Sequence, residues 1–247
     1  MAIKIFKDYD SLSLEAANEI IHVVKTNPRA VLCLASGETP RKTYQLLAQK
    51  AIRENIDLSQ CTFVGLDEWI GIPPDNEGSC AFFLNKYLFH PLEISPQQIH
   101  LFDALTEDLY GECQKTDAQI ARNGGIDLMV VGVGMNGHVG FNEPGVPEGL
   151  YSHVVALDPV TKNVGQKYFT KATELSYGIT LGLRHFLESQ RAIMLASGKK
   201  KAEVIRQAIE GEVSIDLPAS VIRKHSDWII MLDEDAASEL QPGDANP

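Results

Sequence analysis

The chain has 247 residues, with 22 basic and 33 acidic side chains for a formal charge of −11, and 44% of it is hydrophobic. Its 19 glycines and 12 prolines are ordinary usage, which excludes collagen-like, low-complexity and disordered classes. The acidic balance argues against nucleic acid or an anionic membrane as partner, and no apolar run approaches the ~18 residues of a membrane span.

In chain order, the opening MAIKIFKDYD carries an acid at Asp8 and no long apolar stretch, so no signal peptide is expected. A helix pattern covers Leu12–Lys25, followed by an apolar strand at Ala30–Ala35. Ser36-Gly37-Glu38-Thr39-Pro40 comes next, with Gly37 permitting close backbone approach. Thr39 is expected to cap the following helix, Arg41–Arg53, with Pro40 in its first position. The free N–H groups of such a terminus suit an anion, although no Walker-type GK[ST] follows. A second strand, Thr62–Leu66, runs into Asp67-Glu68-Trp69, an acidic pair where a general base or a simple turn would stand.

Helix patterns at Ala81–Phe89 and Glu107–Arg122 precede a third strand, Asp127–Val133. It enters the glycine-rich run Gly132 to Gly145. Gly132, Gly134 and Gly137 spell GxGxxG, but Gly140 and Pro144-Gly145 come too soon for the helix that a dinucleotide fingerprint requires. The glycines instead predict a tight loop presenting His138 and Glu143, an imidazole and a carboxylate able to form an oriented acid/base pair. Lys162, Lys167 and Lys171 follow. A fourth strand, Ala192–Ala196, leads through Lys199-Lys200-Lys201 into a helix at Lys200–Glu210. Cations at a helix start oppose its dipole, which points to an anion held there or else to a solvated surface run. A fifth strand, Trp228–Leu232, comes before a tail, Gln241–Pro247, expected to fray.

Near-continuously apolar strands alternating with helices predict an α/β fold: a mostly parallel sheet covered on both faces, as one domain over residues 1–247. Ligands of such sheets bind at the carboxyl ends of the strands, where all of these loops lie. Cys33, Cys61, Cys80 and Cys113 form no CxxC pair and read as reduced, mostly structural thiols of a cytoplasmic protein, not as a zinc site or disulfide frame.

Together, LASGETPRKTY, FVGLDEW, GVGMNGHVGFNEPG, YGITLGL, ASGKKKA and DLPAS resemble, in order and over nearly the whole chain, the glucosamine-6-phosphate deaminase/isomerase family, and within it the galactosamine-6-phosphate isomerase branch. The resemblance implies a Rossmann-like three-layer α/β sandwich. It also implies conversion of a hexosamine 6-phosphate and water to a ketohexose 6-phosphate and ammonia, with no redox cofactor and no metal. Residue by residue, it makes Asp67 the base that moves a proton between C2 and C1. It makes His138 the residue assisting ring opening and Glu143 its carboxylate partner. Asn136 stands where some members have Asp, so Glu143 is expected to support the imidazole alone. Ser36, Gly37, Glu38 and Thr39 fall on the phosphate loop, Lys201 on the phosphate lysine, and Lys167 on a position often occupied by Arg. A lysine there keeps the charge but loses the bidentate fork.

The chemistry asks for the same residue types: a proton shuttle near neutral pKa to open the sugar, then a carboxylate to move the C2 proton. The segment Gly71–Cys80, with Gly78-Ser79-Cys80, and the run Gly178–Leu183 favour galactosamine 6-phosphate, giving tagatose 6-phosphate, over glucosamine 6-phosphate, giving fructose 6-phosphate. The partner expected is thus a small hexosamine 6-phosphate, with a homo-oligomer left open. A 6-phosphogluconolactonase-like hydrolase would not be expected to carry LDEW and FNEPG. A sugar-phosphate sensor would need a DNA-binding module, and strand and helix patterns here begin almost at residue 1 with no basic appendage.

Overall fold

The computed structural model describes residues 2–241. In chain order it contains β1 (Ala2–Phe6), α1 (Tyr9–Thr26), β2 (Val31–Leu34), α2 (Glu38–Glu54), β3 (Thr62–Val64), β4 (Asp67–Trp69) and α3 (Cys80–Leu84), which continues as a π-helical turn over Asn85–Phe89. Then come β5 (Ile99–His100), α4 (Leu109–Arg122), β6 (Leu128–Gly132), β7 (His153–Ala156), α5 (Pro159–Gly165), β8 (Tyr177–Thr180), α6 (Leu183–Glu188), β9 (Arg191–Ala196), α7 (Ala202–Glu210) and β10 (Trp228–Asp233). The tail expected to fray lies, Gln241 apart, outside the described residues.

Seven strands form one parallel sheet in the order β1-β10-β9-β6-β2-β3-β5. Side chains alternate across a strand, and here each alternate set enters a different core. Val31 and Cys33 of β2, Met129 and Val131 of β6, and Ile230 and Leu232 of β10 pack with α4, α6 and α7. Leu32 and Leu34, Leu128 and Val130, and Ile229 and Met231 pack with α1 and α2 on the opposite face. Helix, sheet and helix make three layers, which is why these strands read as continuous apolar runs. Helix α1 shows the matching logic: Asp8 caps it by accepting from the Ser11 N–H at 2.8 Å, and Leu12, Ala16, Ile20 and Val24 form its buried stripe.

A second sheet, of three antiparallel strands in the order β4-β8-β7, lies beside the first. The expected loop at Asp67-Glu68-Trp69 is therefore a strand. The chain leaves the parallel sheet at Gly65, where a side chain would press on Leu101 at 2.9 Å, and the Leu66 carbonyl accepts from the Leu181 N–H at 2.8 Å. Asp67 thereby pairs with Thr180. A small core of Trp69, Ile72, Cys80, Phe141, Leu157 and Leu175 joins this sheet to the loops that follow β4 and β6. All four cysteines are free and buried, and no helix among the described residues is long and apolar enough to cross a membrane.

Candidate active site

Because all seven strands run the same way, the segments following β2, β3, β6 and β9 converge at one end of the sheet. They enclose a cavity of about 670 Å³. Ser36, Gly37, Glu38, Thr39, Asp67, His138, Lys167 and Lys201 all line it, whereas Asn136 and Glu143 stand behind His138.

The anion-suited wall differs from expectation in detail. Helix α2 starts at Glu38, and Gly37 is its N-cap, with φ of +119°. Thr39 does not cap the helix, because the glycine turns the chain two residues earlier and no side chain bonds the first amides. The N–H groups at this end are left without a capping side chain, as an anion site requires. The Glu38 side chain points to Arg41 instead, so Glu38 has only its backbone to offer an anion. Elsewhere on the cavity, Lys199–Lys201 forms a 3₁₀ turn before α7, not the first turn of that helix. Lys201 Nζ donates to the Val133 carbonyl at 2.6 Å. Burial, and next the charge of Lys167, hold the Lys201 ammonium down at about 8. Lys167 itself is exposed, its ammonium 4.9 Å from the centre of the Tyr168 ring. A shared phosphate dianion would relieve the repulsion between the two cations.

Asp67 lies half-buried at the edge of the cavity. Burial first, and then the neighbouring charge of Glu68, push its carboxyl up from 3.8 to about 7, against a lowering hydrogen bond from Cys80. A carboxylate so placed is a far stronger base than one in water. The acidic pair is unequal: Glu68 is 4% exposed and accepts three backbone N–H bonds.

The loop after β6 contains no helix, and its chain bends back through a bridge between Val139 and Asn142. Gly134 lies under the His138 ring, where a Cβ would stand 2.3 Å from the imidazole, and Gly137 turns the chain at φ +81°. Asn136 Nδ2 donates to Glu143 Oε2 at 2.9 Å, which turns Asn136 Oδ1 toward His138 Nδ1, 2.7 Å away. With the Asn136 amide oriented by the carboxylate, Nδ1 carries the proton and Nε2 is the basic nitrogen. Glu143 is 3.6 Å from Nδ1, beyond hydrogen-bond range. The expectation that Glu143 supports the imidazole alone is thus corrected: the amide of Asn136 stands between them. Thr161 Oγ1, 3.0 Å from Nδ1, and the Asp158 N–H, which donates to Glu143 Oε1 at 3.2 Å, complete the network.

The imidazole also departs from the neutral pKa that the chemistry suggested. Burial, then the charge of Lys201, lower it to about 4, so it is an unprotonated acceptor at neutral pH. Sequence reasoning missed Thr161 and Tyr168, whose hydroxyl stands 3.6 Å from where a Cβ on Gly37 would be. It also missed Asp233. This buried carboxylate accepts from Ser197 and the Gly198 and Ala236 N–H groups, fixing the loop that leads to Lys201. None of the three lies in a motif; only the fold brings Thr161 and Tyr168 to the cavity and Asp233 to the loop behind it.

These features define an α/β protein in which a carboxyl and an oriented imidazole share a cavity with an anion-suited loop. The family of glucosamine-6-phosphate isomerases/6-phosphogluconolactonase matches residues 8–231, and the chain belongs to it. It is 39% identical to a glucosamine-6-phosphate deaminase of Bacillus pumilus (strain SAFR-032), over 94% of this chain and 97% of that protein. It is 36% identical to glucosamine-6-phosphate deaminase 1 of Bacillus subtilis (strain 168), over 95% and 97%. The solved structure of a monomeric glucosamine-6-phosphate deaminase superposes with a TM-score of 0.94 at 35% identity, covering 97% of this chain and 100% of that one. A 6-phosphogluconolactonase from Trypanosoma brucei, at 19% identity and a TM-score of 0.79 over 97% and 98%, shares the fold.

Proposed function

We propose that the chain is a deaminating isomerase of hexosamine 6-phosphates, taking glucosamine 6-phosphate and water to fructose 6-phosphate and ammonia. The observation that carries this reading is the placement of Asp67 and His138 on one cavity that an uncapped helix terminus and Lys201 also line. The phosphate, with about −1.5 to −2 charges, anchors at these two groups, and its binding energy holds C1 and C2 at Asp67 and His138. Neutral His138 Nε2 accepts the proton of the anomeric hydroxyl and returns it to the ring oxygen, opening the sugar. Ionised Asp67 removes the C2 proton, now α to a carbonyl, while O1 takes a proton from solvent, and then delivers its proton to C1 as the nitrogen lone pair forms a C2 iminium. Water adds to C2, one of its protons passes to the nitrogen, ammonia leaves, and the other proton returns to solvent as the C2 carbonyl forms. The amide of Asn136 and the carboxylate of Glu143 keep the imidazole in the tautomer this needs.

Glucosamine 6-phosphate is the substrate better supported, because the relatives quoted above carry that name. Galactosamine 6-phosphate, giving tagatose 6-phosphate, is the second reading, favoured by Gly78-Ser79-Cys80 on the cavity wall. Within that segment the Ser79 hydroxyl is already engaged, accepting from the Phe82 N–H at 2.9 Å and donating to the Pro74 carbonyl at 3.3 Å. It is therefore not a free partner for the C4 hydroxyl that separates the two sugars, which weakens the second reading. An ammonia-release assay on both 6-phosphates and on the unphosphorylated amino sugars tests the whole reading. A tenfold preference for galactosamine 6-phosphate reverses the choice of epimer. Equal efficiency without the phosphate, or no ammonia from any of them, refutes the reaction.

A further inference from the structure

The acidic pair at the start of β4 puts one carboxyl on the cavity and leaves the other, Glu68, without a part in the chemistry above. Glu68 is buried and fully engaged. Oε1 accepts from its neighbour's amide, Trp69 N–H, and from Cys80 N–H, both at 2.9 Å, and Oε2 accepts from Ala81 N–H at 2.8 Å. Cys80 and Ala81 are the first residues of α3, and Ser79 takes the next free amide of that helix. One carboxylate thus closes the loop between β4 and α3 at its root. The same loop supplies Glu77 to Cys80 as the cavity wall beside Asp67.

Besides His138 and the ammonium groups of Lys167 and Lys201 on the same cavity, the groups facing Asp67 are weak acids that are neutral at neutral pH. They are the thiols of Cys33 on β2 and Cys80 on α3, and the phenols of Tyr44 on α2 and Tyr168 after α5, all pushed up by burial. On its other side Glu68 shares a small cavity with Asp103.

We infer that Glu68 is a positioning residue for the base: its carboxylate holds the start of α3 against β4 and sets a negative charge beside Asp67. This role rests on reading Asp67 as the base. It explains why two acids stand together where one would serve as base. A buried anion one residue away disfavours ionisation of Asp67, which raises its basicity; burial pushes the Glu68 carboxyl itself up, and the three N–H donors oppose that rise.

The test is the pH profile of kcat/KM in two variants. Glu68→Gln retains the oxygen that serves Trp69 and Cys80 but loses the charge and the Ala81 contact. Its acid limb should move down by about one pH unit, with a several-fold lower plateau, because a weaker base transfers the proton more slowly. Glu68→Asp keeps the charge on a shorter stem. Its acid limb should stay in place while KM rises several-fold as the wall loosens. An unmoved acid limb in folded Glu68→Gln overturns the electrostatic role, and an unchanged KM in Glu68→Asp overturns the tether. If Glu68→Gln fails to fold, Glu68→Asp decides by its KM alone. Asp67→Asn run alongside separates the two levels. Normal turnover there refutes the base itself, whereas loss of turnover there with an unmoved limb in Glu68→Gln refutes only the role of Glu68.

Discussion

Replacing Asp67 by Asn should stabilise the protein as it disables it, and the gain should depend on pH in a set direction. The carboxyl ionises near 3.8 in an unfolded chain and near about 7 in the fold. An acid with a raised folded pKa costs nothing below its unfolded value. The cost grows as pH climbs from there to the folded value and is constant above it. At about 1.4 kcal/mol per pKa unit, the cost at pH 8 exceeds that at pH 5 by roughly 3 kcal/mol. Asp67 is half-buried and opens on a cavity, so screening by solvent reduces the expected difference to about 1–2 kcal/mol. Asn keeps the shape and cannot ionise. Urea denaturation of both proteins should therefore show the advantage of Asn growing by that amount between pH 5 and pH 8, while turnover falls by about 100-fold or more. An advantage that is flat across this range, or that shrinks as pH rises, would refute the claim that burial of Asp67 is what makes it a strong base.

Asn136→Ala should lower kcat/KM by about tenfold or more by freeing the His138 tautomer, with wild-type activity counting against the relay from Glu143. Lys201 is held at about 8, so KM for the 6-phosphate should climb as pH rises through that value and the ammonium loses its proton. Lys201→Ala should raise KM about tenfold to 100-fold at pH 7 and flatten the rise, and a KM that is flat with pH in the parent chain refutes the assignment. Gly134→Ala places a Cβ 2.3 Å from the His138 ring, which must displace it. The expected loss is about 100-fold in kcat with little change in phosphate affinity, read as inhibition by inorganic phosphate.

Five inner strands of the parallel sheet were legible because burial on both faces writes an unbroken apolar run. The edges were not. β1 carries Lys4, which reaches out to Glu15 and Glu19, and β5 is two residues long. The antiparallel sheet was hidden for a different reason. β4 follows β3 after only Gly65 and Leu66, so one apolar run covers a change of sheet, and its partner β8 lies more than a hundred residues further on, with β7 on the far side of β8. Within the site, residue types and loop positions marked Asp67, His138 and Lys201 for the cavity they line. The order His138–Asn136–Glu143 was not readable, because it depends on which way an amide turns in a loop of three dimensions. The same holds for Thr39, whose expected capping role was lost to a single left-handed glycine at 37.

The place of β1 has a consequence for how the chain is made. Among the described residues, Ala2–Phe6 pair only with Ile229–Asp233 of β10, and β10 pairs in turn with β9. During synthesis the first strand is therefore exposed with no neighbour until nearly the last one leaves the ribosome. At about 5–20 residues per second that wait is roughly ten to forty-five seconds. Helix α1 can dock on α2 long before then, since both belong to the first quarter of the chain. The strand ahead of it cannot be zipped in until β10 arrives. The lysine at its centre keeps that short unpaired segment from templating pairing with another nascent chain, so a residue that obscured the strand in the sequence serves it while the sheet is incomplete.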